Sequence, residues 1–138
     1  MLDKEFIDLS QMQLRRAGEL LKETAILVDF GAYNSAVNRA YYAAFHAMKA
    51  VEALDNFDAK RHIGVIQYFR QNYIKTGIFE KELSVITEQL QTARGDSDYN
   101  ISVSFSSEDA KMYYAYANRI VGSIETYLRK KYEENAVE

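Results

Sequence analysis

The chain has no proline, no cysteine and no tryptophan, and only six glycines among its 138 residues. Average proline usage of about 5% would place several in a chain this long, so their absence favours long uninterrupted helices over strands and turns. Without cysteine there are no disulfides, thiolate zinc sites or thiol nucleophiles, which fits a cytoplasmic protein. No apolar run reaches about 18 residues, so no membrane contact is expected. The opening MLDKEFIDLSQMQLRR lacks the apolar core of a signal peptide. The formal net charge of −3 gives no global basic field, although a local patch could still meet nucleic acid. Hydrophobic residues at 48% and charged residues at 27% are ordinary for a globular chain. The expectation is one domain, 1–138, burying about two-thirds of its unfolded surface. Eleven tyrosines are the compositional oddity. Six fall in helical patterns where packing is the first reading, although aromatic residues can also stack bases.

Residues 34–54, NSAVNRAYYAAFHAMKAVEAL, organise the rest. The stretch contains no helix breaker and is rich in alanine. At about 100° per residue, Ser35, Asn38, Arg39, Tyr42, His46, Lys49 and Glu52 gather into one stripe. The remaining girth is Ala36, Val37, Ala40, Tyr41, Ala43, Ala44, Phe45, Ala47, Met48, Ala50, Val51, Ala53 and Leu54. A helix apolar around most of its circumference is a core helix. It should show a single polar edge.

The other segments fill out an all-α, five-helix, up-and-down bundle. Residues 3–29 form a first helix, with Ile7, Leu14, Leu21 and Val28 recurring on one face beside Ala17 and Ala25, and Gly31 stops it. The tight link to the second helix implies antiparallel packing. A polar turn with Asp58 as cap precedes a third helix at 60–75, whose apolar side is Ile63, Ile66, Tyr68, Phe69 and Tyr73, and Gly77 fits its exit. A fourth helix spans 79–94 with Leu83, Ile86 and Leu90 inward. The irregular GDSDYNISVSFSS follows, where Ile101, Val103 and Phe105 alternate with serines and press on the core. Ser106 and Asp109 form a capping pair for a fifth helix at 107–132. Its inner face holds Ala110, Tyr113 or Tyr114, Ala117, Ile120, Val121, Ile124 and Leu128, and the terminal EENAVE frays.

Arg39 and His46 share the polar edge, separated by about 10.5 Å of helical rise. That spacing suits two groups flanking one phosphodiester. Arginine clamps phosphate, and histidine passes protons near neutrality. The structural alternative pairs Arg39 with a carboxylate of a neighbouring helix and leaves His46 as an edge histidine. Tyr42 lies between them and is the candidate for stacking a base, while Tyr41 should point into the core. Lys60, Arg61 and His62 cluster at the start of the third helix, where anions are attracted. They read first as a solvated turn, with His62 a secondary candidate. Arg94 and Asp98 read as an anchoring ion pair with Tyr99 packed beneath the loop. The run Asp96, Asp98, Asn100, Ser102, Ser104 mimics a calcium loop. Ile101 replaces its glycine and Ser107 its bidentate glutamate, so calcium is rejected and no metal or cofactor is expected.

NRAYYAAFHAMKA, KRHIGVIQYF, KTGIFEKEL and TARGDSDYN together resemble the HEPN superfamily (higher eukaryotes and prokaryotes nucleotide-binding domains). The likeness is to its small single-domain prokaryotic branch and covers roughly residues 16–127. It implies a helical bundle, often dimeric, with an Arg followed after a short spacer by His. Here the spacer is six residues, and Ala40 stands where the ribonucleases of the superfamily usually carry a polar residue. In those ribonucleases the Arg and His of two subunits meet across a dimer cleft and cut RNA without metal, usually as toxins. Other members are noncatalytic and pair with a small nucleotidyltransferase or bind nucleotides. The resemblance implies catalytic roles for Arg39 and His46, beside which Asn38, Tyr42, Lys49 and His62 are the candidate substrate contacts. It also implies a homodimer in a toxin–antitoxin system, acting as a metal-independent RNase. The alternative is a noncatalytic module binding a nucleotide or a nucleotidyltransferase partner.

Overall fold

The computed structural model describes residues 2–100 and 102–136. The described residues form five helices: α1 (Lys4–Phe30), α2 (Tyr33–Leu54), α3 (His62–Phe69, continued by one π-helical turn, Arg70–Ile74), α4 (Glu82–Tyr99) and α5 (Ser107–Ala136). The described residues contain no strand, and the bundle is all-α. Asp3 caps α1 by accepting the Glu5 N–H at 2.9 Å. Gly31 ends the helix at φ +88°, with its N–H on the Leu27 and Val28 carbonyls. Contacts between α1 and α2 pair Ser10 with Ala50, Gln13 with His46 and Glu23 with Arg39. Numbers rise on one helix as they fall on the other, so the two run antiparallel.

α2 is the hub and packs against each of the other four helices. All thirteen apolar positions expected to surround it are buried. Ala36, Ala40, Ala43, Ala47 and Ala50 are fully covered, and side chains this small let neighbouring backbones approach closely. α5 lays Ala117, Ile120, Ile124 and Leu128, all 0% exposed, into this core. Each buried Ile or Leu stabilises the bundle by about 1.5–3 kcal/mol. The Ser106–Asp109 pair caps α5 as expected: each side chain accepts the other's backbone N–H at 3.0 Å. Val103 and Phe105 are half-buried between exposed serines, whereas Ile101 lies outside the described residues.

Several expectations are corrected. The centre of the buried face of α1 is Ser10, Ala17, Leu20, Thr24 and Val28, while Ile7, Leu14 and Leu21 flank it. Ser10 can sit there because its hydroxyl donates to the Ala50 carbonyl and meets Tyr132 Oη, both at 2.6 Å; Thr24 donates to the Leu20 carbonyl. α3 begins at His62 with no side-chain cap, Asp58 instead pairs with Lys49, and Ile63 is 43% exposed. α4 starts at Glu82 and continues through the GDSD segment, supported by the Arg94–Asp98 pair at i, i+4. Tyr99 is consequently carried out to solvent (76% exposed) rather than packed beneath a loop. α5 extends to Ala136, with Asn135 Oδ1 accepting the Leu2 N–H.

Candidate functional site

The polar edge of α2 forms as the wheel places it, with one exception. Ser35 and Arg39 are exposed, and Asn38, Tyr42, His46 and Lys49 are half-buried. Glu52 is 1% exposed, and its Oε2 has no hydrogen-bond partner. Burial, with Asp55 adding like charge, pushes its carboxyl up to about 9, so it is a neutral acid at pH 7. It belongs to the floor of the bundle, beside Asp55, whose Oδ2 accepts from Tyr68 and Tyr73. Glu52 is not part of an open site.

Around His46 the helices bring together groups far apart in sequence. Its Nδ1 meets Gln13 Oε1 of α1 at 2.7 Å, an arrangement in which Nδ1 carries the proton and Nε2 keeps its lone pair. Burial, followed by the nearby Lys49, Arg16 and His62, lowers its pKa to about 4. The imidazole is therefore neutral at pH 7, with the cations Lys49 and Arg16 nearby. An anion bound there would reverse part of that shift.

His62, at the first position of α3, joins the same region. Its ring lies 4.2 Å from that of Phe45, and its Nδ1 lies 3.3 Å from the Tyr41 hydroxyl. Burial holds Tyr41 up to about 12, so its O–H is available to donate to Nδ1. His62 itself is lowered by burial and then by Arg94 and Lys49. Lys49 pairs with Asp58 at 3.9 Å and lies over the Phe45 ring.

At the other end of the edge, Arg39 is 44% exposed and engaged twice. Its Nε lies 3.6 Å from Glu23 Oε1, and its Nη1 donates to Asn38 Oδ1 at 3.0 Å. Asn38 Nδ2 donates in turn to Asp98 Oδ1 at 2.6 Å, and Asp98 Oδ2 lies 3.1 Å from Arg94 Nε. Arg94 Nη2 donates to the Tyr42 hydroxyl at 3.0 Å, and its guanidinium rests against the rings of Tyr41, Tyr42 and Tyr99. The Tyr42 ring is thus already occupied by the protein's own cation. A polar hollow of about 240 Å³ opens between Asn34, Ser35, Asn38, Arg39, Ser97 and Asp98.

The structure therefore gathers Asn38, Arg39, Tyr42, His46 and Lys49 on one edge and adds His62 from α3. The sequence reading missed Gln13 and Glu23, and it gave Arg94 and Asp98 only an anchoring role. The i, i+4 spacing signals that last pair, but its reach to Asn38 depends on how α4 packs on α2. Among the described residues, no group of three or more His, Asp or Glu side chains converges to hold a metal.

The family model for the HEPN domain matches residues 10–127, which takes in most of α1, all of α2 to α4, most of α5 and every residue of this edge. The chain belongs to the HEPN family. A Thermotoga maritima UPF0332 protein is 32% identical over 111 residues, covering 80% of this chain and 84% of that protein. Two Methanocaldococcus jannaschii proteins bear toxin names of putative grade. One is 31% identical and spans 83% of this chain and 85% of its own length; the other is 25% identical, spanning 86% and 80%. This HEPN domain thus belongs with toxin-like relatives. None of its described helices is long and apolar enough to cross a membrane.

Proposed function

We propose that this HEPN domain is the RNA-directed component of a toxin–antitoxin system, a metal-independent endoribonuclease working as a homodimer. The observation that carries the reading is the polar edge of α2. It is the one uncovered strip of a buried helix, it presents Arg39, and it holds His46 neutral with Nδ1 on Gln13. A neutral imidazole with a free Nε2 lone pair can accept a proton. An exposed guanidinium can bind two phosphate oxygens and stabilise the charge that builds on them. The toxin names of two relatives support the same direction.

In this reading Nε2 of His46 takes the proton of a ribose 2′-hydroxyl as its oxygen bonds to the adjacent phosphorus. The bond from phosphorus to the 5′-oxygen then breaks, and an imidazolium returns a proton to that leaving oxygen. The products are a 2′,3′-cyclic phosphate and a 5′-hydroxyl. Arg39 carries the five-coordinate phosphorane, so charge neutralisation and proton transfer both come from side chains. Arg39 and His46 of one chain are about 10.5 Å apart along the helix. Two chains paired across this edge would let the arginine of one protomer meet the histidine of its partner.

One observation favours a second reading. Arg39 is already held by Glu23 and Asn38, and Ala40, the position after it, points fully into the core. An arginine so engaged also suits a noncatalytic module that binds a nucleotide or a small nucleotidyltransferase. Induced expression separates the two. Growth arrest by the wild type, abolished by Arg39→Ala and by His46→Ala at matched protein levels, is expected of the nuclease. Wild-type protein that arrests nothing points to the binding module.

A further inference from the structure

We propose that Asp98, backed by Arg94, is a positioning residue for Arg39; this rests on Arg39 being the phosphate-binding group of the site. The linkage is continuous across three helices: Arg94 to Asp98 at 3.1 Å, Asn38 to Asp98 at 2.6 Å, Arg39 to Asn38 at 3.0 Å and Arg39 to Glu23 at 3.6 Å. A carboxylate can only accept hydrogen bonds, so Asp98 fixes which end of the Asn38 amide faces it. The NH₂ must point to Asp98, and Oδ1 is thereby turned toward Arg39. Arg94 cancels the charge of Asp98, leaving Asp98 a directional acceptor with less pull of its own on the Arg39 cation.

The result is a guanidinium held from both sides, by an amide oxygen ordered from α4 and by a carboxylate on α1. An arginine on an exposed helix face otherwise samples several rotamers, and ordering it on substrate binding costs entropy. Asn38 and Asp98 also line the polar hollow of about 240 Å³ beside Arg39. The Arg–x–x–x–Asp element of α4 therefore has a consequence at α2 beyond joining one turn of its own helix.

The test compares wild type with Asp98→Asn, Asp98→Ala and Asp98→Glu, each made alone and again in an Arg39→Ala background. Asp98→Asn keeps the shape but lets the Asn38 amide turn either way. RNA cleavage is measured alongside the order of the Arg39 Nε–H group by nitrogen-15 relaxation. Asp98→Asn and Asp98→Ala should lower kcat by about 10- to 100-fold, the scale set by small misplacements of a reacting group. Asp98→Glu should recover part of that loss. The Arg39 Nε–H signal should become more mobile in Asn and Ala, and neither substitution should lower activity further once Arg39 is alanine. An equal loss in the Arg39→Ala background, or unchanged Arg39 order in both variants, would overturn the positioning role. If Arg39→Ala leaves wild-type cleavage intact, the phosphate-binding role of Arg39 fails, and the relaxation measurement still decides whether Asp98 orders Arg39.

Discussion

Replacing Glu52 by glutamine isolates the proton that the folded chain keeps in its core. The carboxyl is 1% exposed, and burial with the adjacent Asp55 holds its pKa at about 9 against an ordinary 4.5. A folded pKa above the unfolded one means that the native state binds the extra proton. Its contribution to stability is fully present below pH 4.5 and is lost as pH rises toward 9. Within that window stability falls by about 1.4 kcal/mol per pH unit. At pH 7 the accumulated cost is about 3 kcal/mol, set by the unfolded pKa, because the folded group is still protonated. Glutamine cannot ionise, so it escapes the whole slope. Its amide enters the space of the unpartnered Oε2 and adds a pH-independent penalty of about 1–3 kcal/mol. Urea denaturation of wild type and Glu52→Gln at each pH from 5 to 9 reads the difference directly. The variant should gain on wild type by about 1.4 kcal/mol per pH unit across that range. A difference that does not change with pH would refute a buried, protonated Glu52.

Phe45→Ala should destabilise the fold by about 3–5 kcal/mol, because the ring is 7% exposed and packs against Tyr41 and His62; a negligible change in urea midpoint would contradict that packing. The His46 ring should titrate near 4 by proton NMR, well below 6.5, and its midpoint should rise when an uncleavable 2′-deoxy oligonucleotide binds. Because its folded pKa is depressed, His46 contributes stability above pH 6.5 that is lost as pH falls toward 4, and a midpoint near 6.5 would remove both expectations. Light scattering at high micromolar concentration should show a dimer, and a monomer would exclude a site shared between protomers.

What the sequence made legible depends on how local the cause is. The thirteen apolar positions of α2 could be read because a helix surrounded on most sides needs nothing but its own periodicity to reveal which residues are buried. Arg39, His46 and their neighbours share an edge for the same reason. Glu52 lies on that stripe by its angle, yet it is 1% exposed in the last turn of α2, where the chain turns back and the Phe57 N–H bonds to the Glu52 carbonyl. The buried face of α1 was displaced in the reading because it counted apolar residues. Ser10 and Thr24 satisfy their hydroxyls on carbonyls and sit at the centre of the contact. Gln13 and Glu23 gain their meaning from the register of α1 on α2, and Asp98 from the packing of α4. None of these carries a local signature.

The most direct measurement is RNA cleavage in EDTA by wild type, Arg39→Ala, His46→Ala and a refolded equal mixture of the two variants. Wild type should cut to a 2′,3′-cyclic phosphate, and each variant alone should keep only a small residual rate. In a two-fold dimer whose sites each take Arg39 from one protomer and His46 from its partner, half of all dimers are mixed, and each mixed dimer holds one intact site in two. The mixture should then recover about a quarter of wild-type activity. Wild-type protein that cuts no RNA without a divalent ion, or cutting undiminished by His46→Ala, would contradict the proposed nuclease.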